Sequence, residues 1–217
     1  TAPAHIYSLS RHVAIRVWPP FEGLLRQMAE TRKKRLIIAI TGASGVAYGV
    51  RALELLKGLD VERHLVMSKA GERTLLEETD YSVRDVQAMA DVLYPAKDIG
   101  AAIASGSFRT MGMLIAPCSV KTMGEIRTGI TSSLVSRAAD VILKERRRLV
   151  LMVRETPLHT GHLRTMTALS EMGAIIAPPV PSLYAKPASI DDMVTYTAAR
   201  ALDLFDLEVE GLNRWGE

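Results

Sequence analysis

Five short apolar runs in this sequence each stop on residues able to bind or activate a ligand. After Leu36–Ile40 come Thr41-Gly42-Ala43-Ser44-Gly45, and after His64–Met67 come Ser68 and Lys69. Pro117-Cys118-Ser119-Val120-Lys121-Thr122 follows Met113–Ala116, and Arg154-Glu155-Thr156-Pro157 follows Leu149–Val153. Pro178-Pro179-Val180-Pro181-Ser182-Leu183-Tyr184 follows Ala174–Ala177. Hydroxyls, lysines, an arginine and a carboxylate together suit a phosphorylated ligand, because hydroxyls and cations supply the donors that phosphate oxygens accept.

Each cluster also has a plainer reading. Gly42 and Gly45 allow close backbone approach to a ligand at a helix start, or simply a tight strand-to-helix turn. The spacing is neither Gly-x-Gly-x-x-Gly nor a Walker loop. Ser119 to Thr122 could wrap a phosphate, or Ser119 could cap a helix. Cys118 reads as a packed small side chain rather than a nucleophile. Arg154 and Glu155 form a structural ion pair or a catalytic unit, and Glu78 is a reactive carboxylate or an exposed helix end. Arg137, Lys144 and Arg148 fall near one helical face, where cations near a C-terminus favour the dipole. His159 and His162 stand three apart with no third ligand at suitable spacing, so no metal is expected.

The elements that must position these groups alternate. The apolar runs read as strands, and Val46–Lys57, Ala70–Glu78, Val83–Asp91, Leu134–Glu145, His162–Glu171 and Ile190–Leu204 read as amphipathic helices. Near-continuous apolar strands separated by helices predict an α/β fold. The expected form is a three-layer, doubly wound parallel sheet, Rossmann-like or flavodoxin-like, with its ligand crevice at the carboxyl ends of the strands.

Composition narrows the function. Of 217 residues, 48% are hydrophobic and 24% charged, as in ordinary globular chains. The net charge of +3 is uneven: residues 1–34 carry six basic and two acidic residues, leaving 21 basic and 22 acidic in 35–217. The body is therefore near neutral, which argues against nucleic acid as a partner. No apolar run reaches the ~18 residues of a membrane span. The single cysteine excludes an internal disulfide framework. Residues 1–34 form a basic extension with transit-peptide-like composition, read here as non-catalytic. The expected location is the cytoplasm, or an organelle if that leader acts as a transit peptide.

An ordered set of motifs is more specific. Ile40-Thr41-Gly42-Ala43-Ser44-Gly45, Leu65-Val66-Met67-Ser68-Lys69, Glu78-Thr79-Asp80, Ser105-Gly106-Ser107-Phe108, Pro117 to Thr122, Arg137-Ala138-Ala139-Asp140, Leu143-Lys144-Glu145-Arg146, Arg154-Glu155-Thr156-Pro157-Leu158 and Pro178-Pro179-Val180-Pro181 occur in sequence. From about Arg35 to Trp215 the chain closely resembles the flavin prenyltransferases of the UbiX/Pad family.

The resemblance implies a homododecamer that transfers the dimethylallyl group of dimethylallyl monophosphate to N5 and C6 of reduced FMN without a metal. The prenylated FMN then serves UbiD-type decarboxylases, as in ubiquinone biosynthesis. By motif position, Gly42, Ala43, Ser44, Ser68, Ser119, Val120, Lys121, Thr122 and Arg154 would hold FMN. Arg137, Lys144, Tyr184 and Arg200 would bind the allylic phosphate, and Ser44, Glu78 and Glu155 would be the catalytic polar groups. Some would come from neighbouring subunits. Leu183, Ser132-Ser133 and Ala104 depart from residues frequent in relatives, which bears on pocket detail. The alternative is a non-enzymatic flavin carrier or assembly partner of a decarboxylase. Cysteine decarboxylases of similar architecture use an early histidine and a Pro-x-Ala-Asn loop, where this chain reads Pro117-Cys118-Ser119-Val120.

Overall fold

The strand runs are apolar on both faces, and the structure shows why. In the computed structural model, which describes residues 33–209 and Leu212, β1 (Lys34–Ile40) buries its last five residues and β4 (Gly112–Cys118) buries all seven. Side chains alternate across a strand, so burial of consecutive residues requires cover on both sides. Leu36, Ile38 and Ile40 pack under α1 (Val46–Leu55) and the C-terminal helix, while Ile37 and Ala39 face the helices of the other layer. The basic extension expected over 1–34 falls, but for its last two residues, outside the described residues, as does Trp215.

The remaining strands are β2 (Val61–Met67), β3 (Val92–Tyr94), β5 (Arg148–Val153) and β6 (Ala174–Ile176). All six pair in parallel, in the order β3-β2-β1-β4-β5-β6. This is the Rossmann-like member of the doubly wound arrangements anticipated, and its strand order reverses between β1 and β4. Between the strands lie α2 (Lys69–Glu78), α3 (Val83–Ala88), α4 (Val120–Thr128), α5 (Leu134–Lys144) and α6 (Thr160–Glu171); α7 (Ile190–Asp203) ends the fold. The stripe Leu134, Val135, Ala138, Ala139, Val141 and Ile142 holds α5 against the sheet, and the Ser133 side chain starts it by accepting the Ser136 N–H.

Several boundaries differ from the sequence reading. β3 is a three-residue edge strand, too short to show a period of two. The helix expected over Val83–Asp91 stops at Ala88, and Asp91 instead binds the Arg63 N–H at 2.8 Å and its guanidinium at 3.0 Å. Of the two readings of Ser119 to Thr122, the helix cap holds: residues 120–122 open α4, whose apolar period Gly124 and the threonines dilute. α5 ends at Lys144, Arg146 turns the chain at φ 55°, and Arg148 opens β5. Arg148 therefore shares no helical face with Arg137 and Lys144; it bonds the Leu204 carbonyl and the Asp206 carboxylate instead.

Candidate active site

A buried threonine joins the two strands at the switch point. Thr41, 1% exposed, donates its hydroxyl to the Pro117 carbonyl at 2.7 Å and accepts the Ser119 N–H at 2.9 Å. The tips of β1 and β4 are thereby fixed against each other where such sheets bind nucleotides. Backbone bonds extend this row on both sides. Ser68 N–H reaches the Ile40 carbonyl at 3.0 Å, and Arg154 N–H reaches the Cys118 carbonyl at 3.2 Å. Gly42 to Ser44, Ser68, Ser119 to Thr122 and Arg154 thus occupy four adjacent tips, β2-β1-β4-β5.

The first turn is shaped by what surrounds it. Gly42 must be glycine for packing: a Cβ there would lie 2.3 Å from the Ala70 Cβ in the first turn of α2. Gly45 holds φ 97°, which favours glycine, and it precedes α1 without a capping side chain of its own. The cap comes from elsewhere. The Glu78 carboxylate accepts the Gly45 N–H at 2.8 Å and the Val46 N–H at 3.2 Å. An anion therefore already occupies the positive end of α1, the position that takes phosphate in dinucleotide folds. Glu78 is thus tied to the Ser44 turn, not left as a solvated helix end.

Two other helices start on this edge. Ser68 caps α2 by accepting the Gly71 N–H at 3.0 Å, and Ser119 caps α4 by accepting the Thr122 N–H at 3.3 Å. The first N–H groups of each helix lack intrahelical partners. Lys121 is 81% exposed and pairs with Glu125 at 3.3 Å. Arg154 projects from the end of β5, and its charge opposes the burial that raises the Tyr48 hydroxyl pKa. Among the described residues no ion pair joins Arg154 to Glu155; a Glu155 carboxylate oxygen accepts the Thr156 N–H at 2.9 Å. Burial pushes the Cys118 thiol up to about 12, in keeping with packing rather than nucleophilic chemistry.

The other predicted residues fall into two further groups. Tyr184 follows β6 on a single 3-10 turn, and its hydroxyl bonds that of Tyr196 on α7. Arg200, one turn beyond Tyr196, pairs with Asp203 at 2.7 Å. Arg137 lies near the start of α5 and pairs with Asp140 at 2.8 Å. Lys144 ends that helix and pairs with Glu145 at 2.5 Å. α5 runs antiparallel to the strands and ends four residues before β5 begins, so Lys144 lies at the amino edge of the sheet, opposite Ser44. One chain does not bring Lys144 to the switch point.

The sequence matches the Flavoprotein family over residues 24–202. It is 58% identical over 173 residues to the flavin prenyltransferase UbiX of Escherichia coli K12, covering 79% of this chain and 92% of that one. This chain belongs to the UbiX family of flavin prenyltransferases. A mitochondrial flavin prenyltransferase of Saccharomyces cerevisiae is 48% identical, covering 85% of this chain and 76% of its own. The UbiX-family fold also matches solved structures. One is AnUbiX (PadA1) in complex with FMN and dimethylallyl pyrophosphate, at TM-score 0.84 and 48% identity, covering 86% of this chain and 99% of that one. Another is a dodecameric FMN-dependent UbiX-like decarboxylase from E. coli O157:H7, at TM-score 0.82 and 50% identity, covering 84% and 100%.

For this UbiX-family chain, sequence reasoning gave no role to two residues that bond the candidate groups. Thr41 was visible as a polar residue closing an apolar strand, but its two partners lie 76 and 78 positions away. Tyr196 looked like one more apolar position of α7. His159 caps α6 by accepting the Gly161 N–H at 3.0 Å, and it stacks on His162 with ring centroids 3.6 Å apart. Among the described residues no group of three His, Cys, Asp or Glu gathers to hold a metal, and no helix is long and apolar enough to cross a membrane.

Proposed function

We propose that this protein transfers the dimethylallyl group of dimethylallyl monophosphate to N5 and C6 of reduced FMN, and that UbiD-type decarboxylases use the product. One observation carries the reading: the residues expected to hold a flavin nucleotide stand on adjacent tips at the switch point of a UbiX-family sheet.

The donor set there fits FMN. Glu78 takes the positive end of α1, so a phosphomonoester must go to the starts of α2 and α4. Those starts offer first-turn N–H groups beside Ser68, Ser119, Val120, Lys121 and Thr122. Gly42 and Ala43 give backbone approach, Ser44 a hydroxyl and Arg154 a cation. Bound and reduced, FMN supplies the two electron-rich ring positions that accept the prenyl group.

The chain's own residues do the rest. Tyr184 and Arg200 would contact the phosphate, and Lys144, Arg137 and Arg200 would stabilise it as it leaves; each charge-assisted bond is worth ~1.5–3 kcal/mol. Glu155 would give a proton to the leaving phosphate and help accept one from the ring. Ser44 would orient the proton at N5, and Glu78 would hold Ser44 in place through Gly45 and Val46. Lys144 belongs to the opposite sheet edge, so it would act on the site of a neighbouring copy, and assembly as a homododecamer would complete each site. The proposed location is cytoplasmic, or organellar as for the mitochondrial yeast relative.

The test is anaerobic incubation of the purified protein with reduced FMN and dimethylallyl monophosphate, following phosphate release. Prenyl transfer releases phosphate in step with flavin consumed. A flavin carrier releases none, and that outcome would favour the alternative.

A further inference from the structure

Tyr184 stands on a single 3-10 turn, Leu183–Ala185, between a proline-rich approach and Lys186 at φ 49°. It is 56% exposed. A ring so open has two side-chain torsions to settle, and one turn of backbone does little to settle them. Tyr196 is the opposite case: it sits in the middle of α7 and is 8% exposed. The two hydroxyls bond to each other, and the rings meet edge to face with centroids 6.0 Å apart. Arg200 lies one helical turn further on, and Ser182, Tyr196 and Arg200 line one cavity of about 90 Å³.

We propose that Tyr196 is a positioning residue for the allylic phosphate, acting through Tyr184, whose hydroxyl it bonds beside the cavity that Tyr196 and Arg200 line. The inference rests on the reading that Tyr184 contacts that phosphate. The two hydroxyls share one hydrogen bond that either oxygen can donate, and in both arrangements it fixes the Tyr184 ring and the place of its oxygen. The Tyr196 hydroxyl pKa is raised, first by the bond to Tyr184 and then by burial. The Arg200 charge opposes that rise without reversing it.

Tyr196→Phe keeps the buried ring and removes only the hydroxyl. With the FMN-loaded oligomer, KM for dimethylallyl monophosphate should rise about tenfold, as expected for one lost hydrogen bond, while kcat stays within about twofold. Calorimetric Kd for the ester on the oxidised holoprotein should weaken by the same factor, with FMN affinity unchanged. Tyr184→Phe should match it, and Tyr184→Phe with Tyr196→Phe should be no worse than Tyr184→Phe alone. An unchanged KM in Tyr196→Phe, or effects that multiply in the double variant, would overturn the proposal. A purely structural role would lower Tm and FMN affinity together and is refuted by the predicted split. If the wild-type protein neither binds nor turns over the ester, the phosphate reading itself fails; binding without turnover sinks prenyl transfer but leaves the tyrosine coupling measured by Kd.

Discussion

Replacing Thr41 by valine removes one hydroxyl, keeps the side-chain shape and tests whether the switch point is held as described. Both hydrogen bonds disappear, at 2.7 Å to the Pro117 carbonyl and 2.9 Å from the Ser119 N–H. The Pro117 carbonyl retains a second donor, the Thr41 N–H at 3.3 Å. The Ser119 N–H is left buried without its acceptor, which costs ~1–3 kcal/mol, and the lost bond to Pro117 adds about 1. The expected loss is about 3 kcal/mol, equivalent to a Tm drop of ~6–12 °C for a chain of this size. FMN affinity should fall about tenfold, because Ser119 to Thr122 would no longer be locked to the Gly42–Ser44 turn. Thermal unfolding at fixed subunit concentration and flavin fluorescence titration read the two effects separately. Thr41→Ser keeps the hydroxyl and should recover most of both. A valine variant with wild-type Tm and FMN Kd within twofold of wild type would refute the idea that this residue joins the β1 and β4 tips.

Three further outcomes follow from the geometry. Because Lys144 and Glu155 lie at opposite ends of the sheet, inactive Lys144→Ala and Glu155→Gln proteins, dissociated and reassembled together, should regain part of the wild-type turnover; full inactivity of the mixed oligomer would place both residues in one chain's site. Cys118 is buried with its thiol pushed up to about 12, so Ellman's reagent should find no reactive thiol in the native protein and one per chain after denaturation. Arg63 holds the Asp91 carboxyl at about 2, below its unfolded value, so the pair stabilises the fold above pH ~4 and the contribution vanishes as pH falls toward 2. The shift alone suggests ~2 kcal/mol, reduced to ~1 by solvent screening because Asp91 is 39% exposed. Asp91→Asn should therefore lower stability at pH 7 by that amount and leave it nearly equal to wild type near pH 2, as read by urea midpoints.

The parallel sheet was legible because strands buried on both faces must be continuously apolar, and runs such as Leu36–Ile40 are too short for a buried helix and end on turn residues. The site edge was legible for a related reason: with strand direction fixed, every polar residue after a strand falls on the same rim. Pairings between distant segments were not legible. Nothing local to Glu78 tells that its carboxylate caps α1 rather than facing water, since the two N–H groups it accepts lie 33 and 32 positions earlier. The first turn of α4 stayed open between a phosphate-wrapping loop and a capped helix because Ser119, Thr122 and Gly124 serve a helix start as well as they serve a turn. Lys144 could be carried over by motif but not located; only the antiparallel run of α5 shows that it points away from its own chain's switch point.

The most direct test of the central claim is the mass of the flavin extracted after anaerobic reaction of the protein with reduced FMN and dimethylallyl monophosphate. The account predicts a flavin heavier by one five-carbon prenyl unit, formed in amounts that track the phosphate released. Recovery of FMN with its mass unchanged, from protein shown to have bound both compounds, would contradict it.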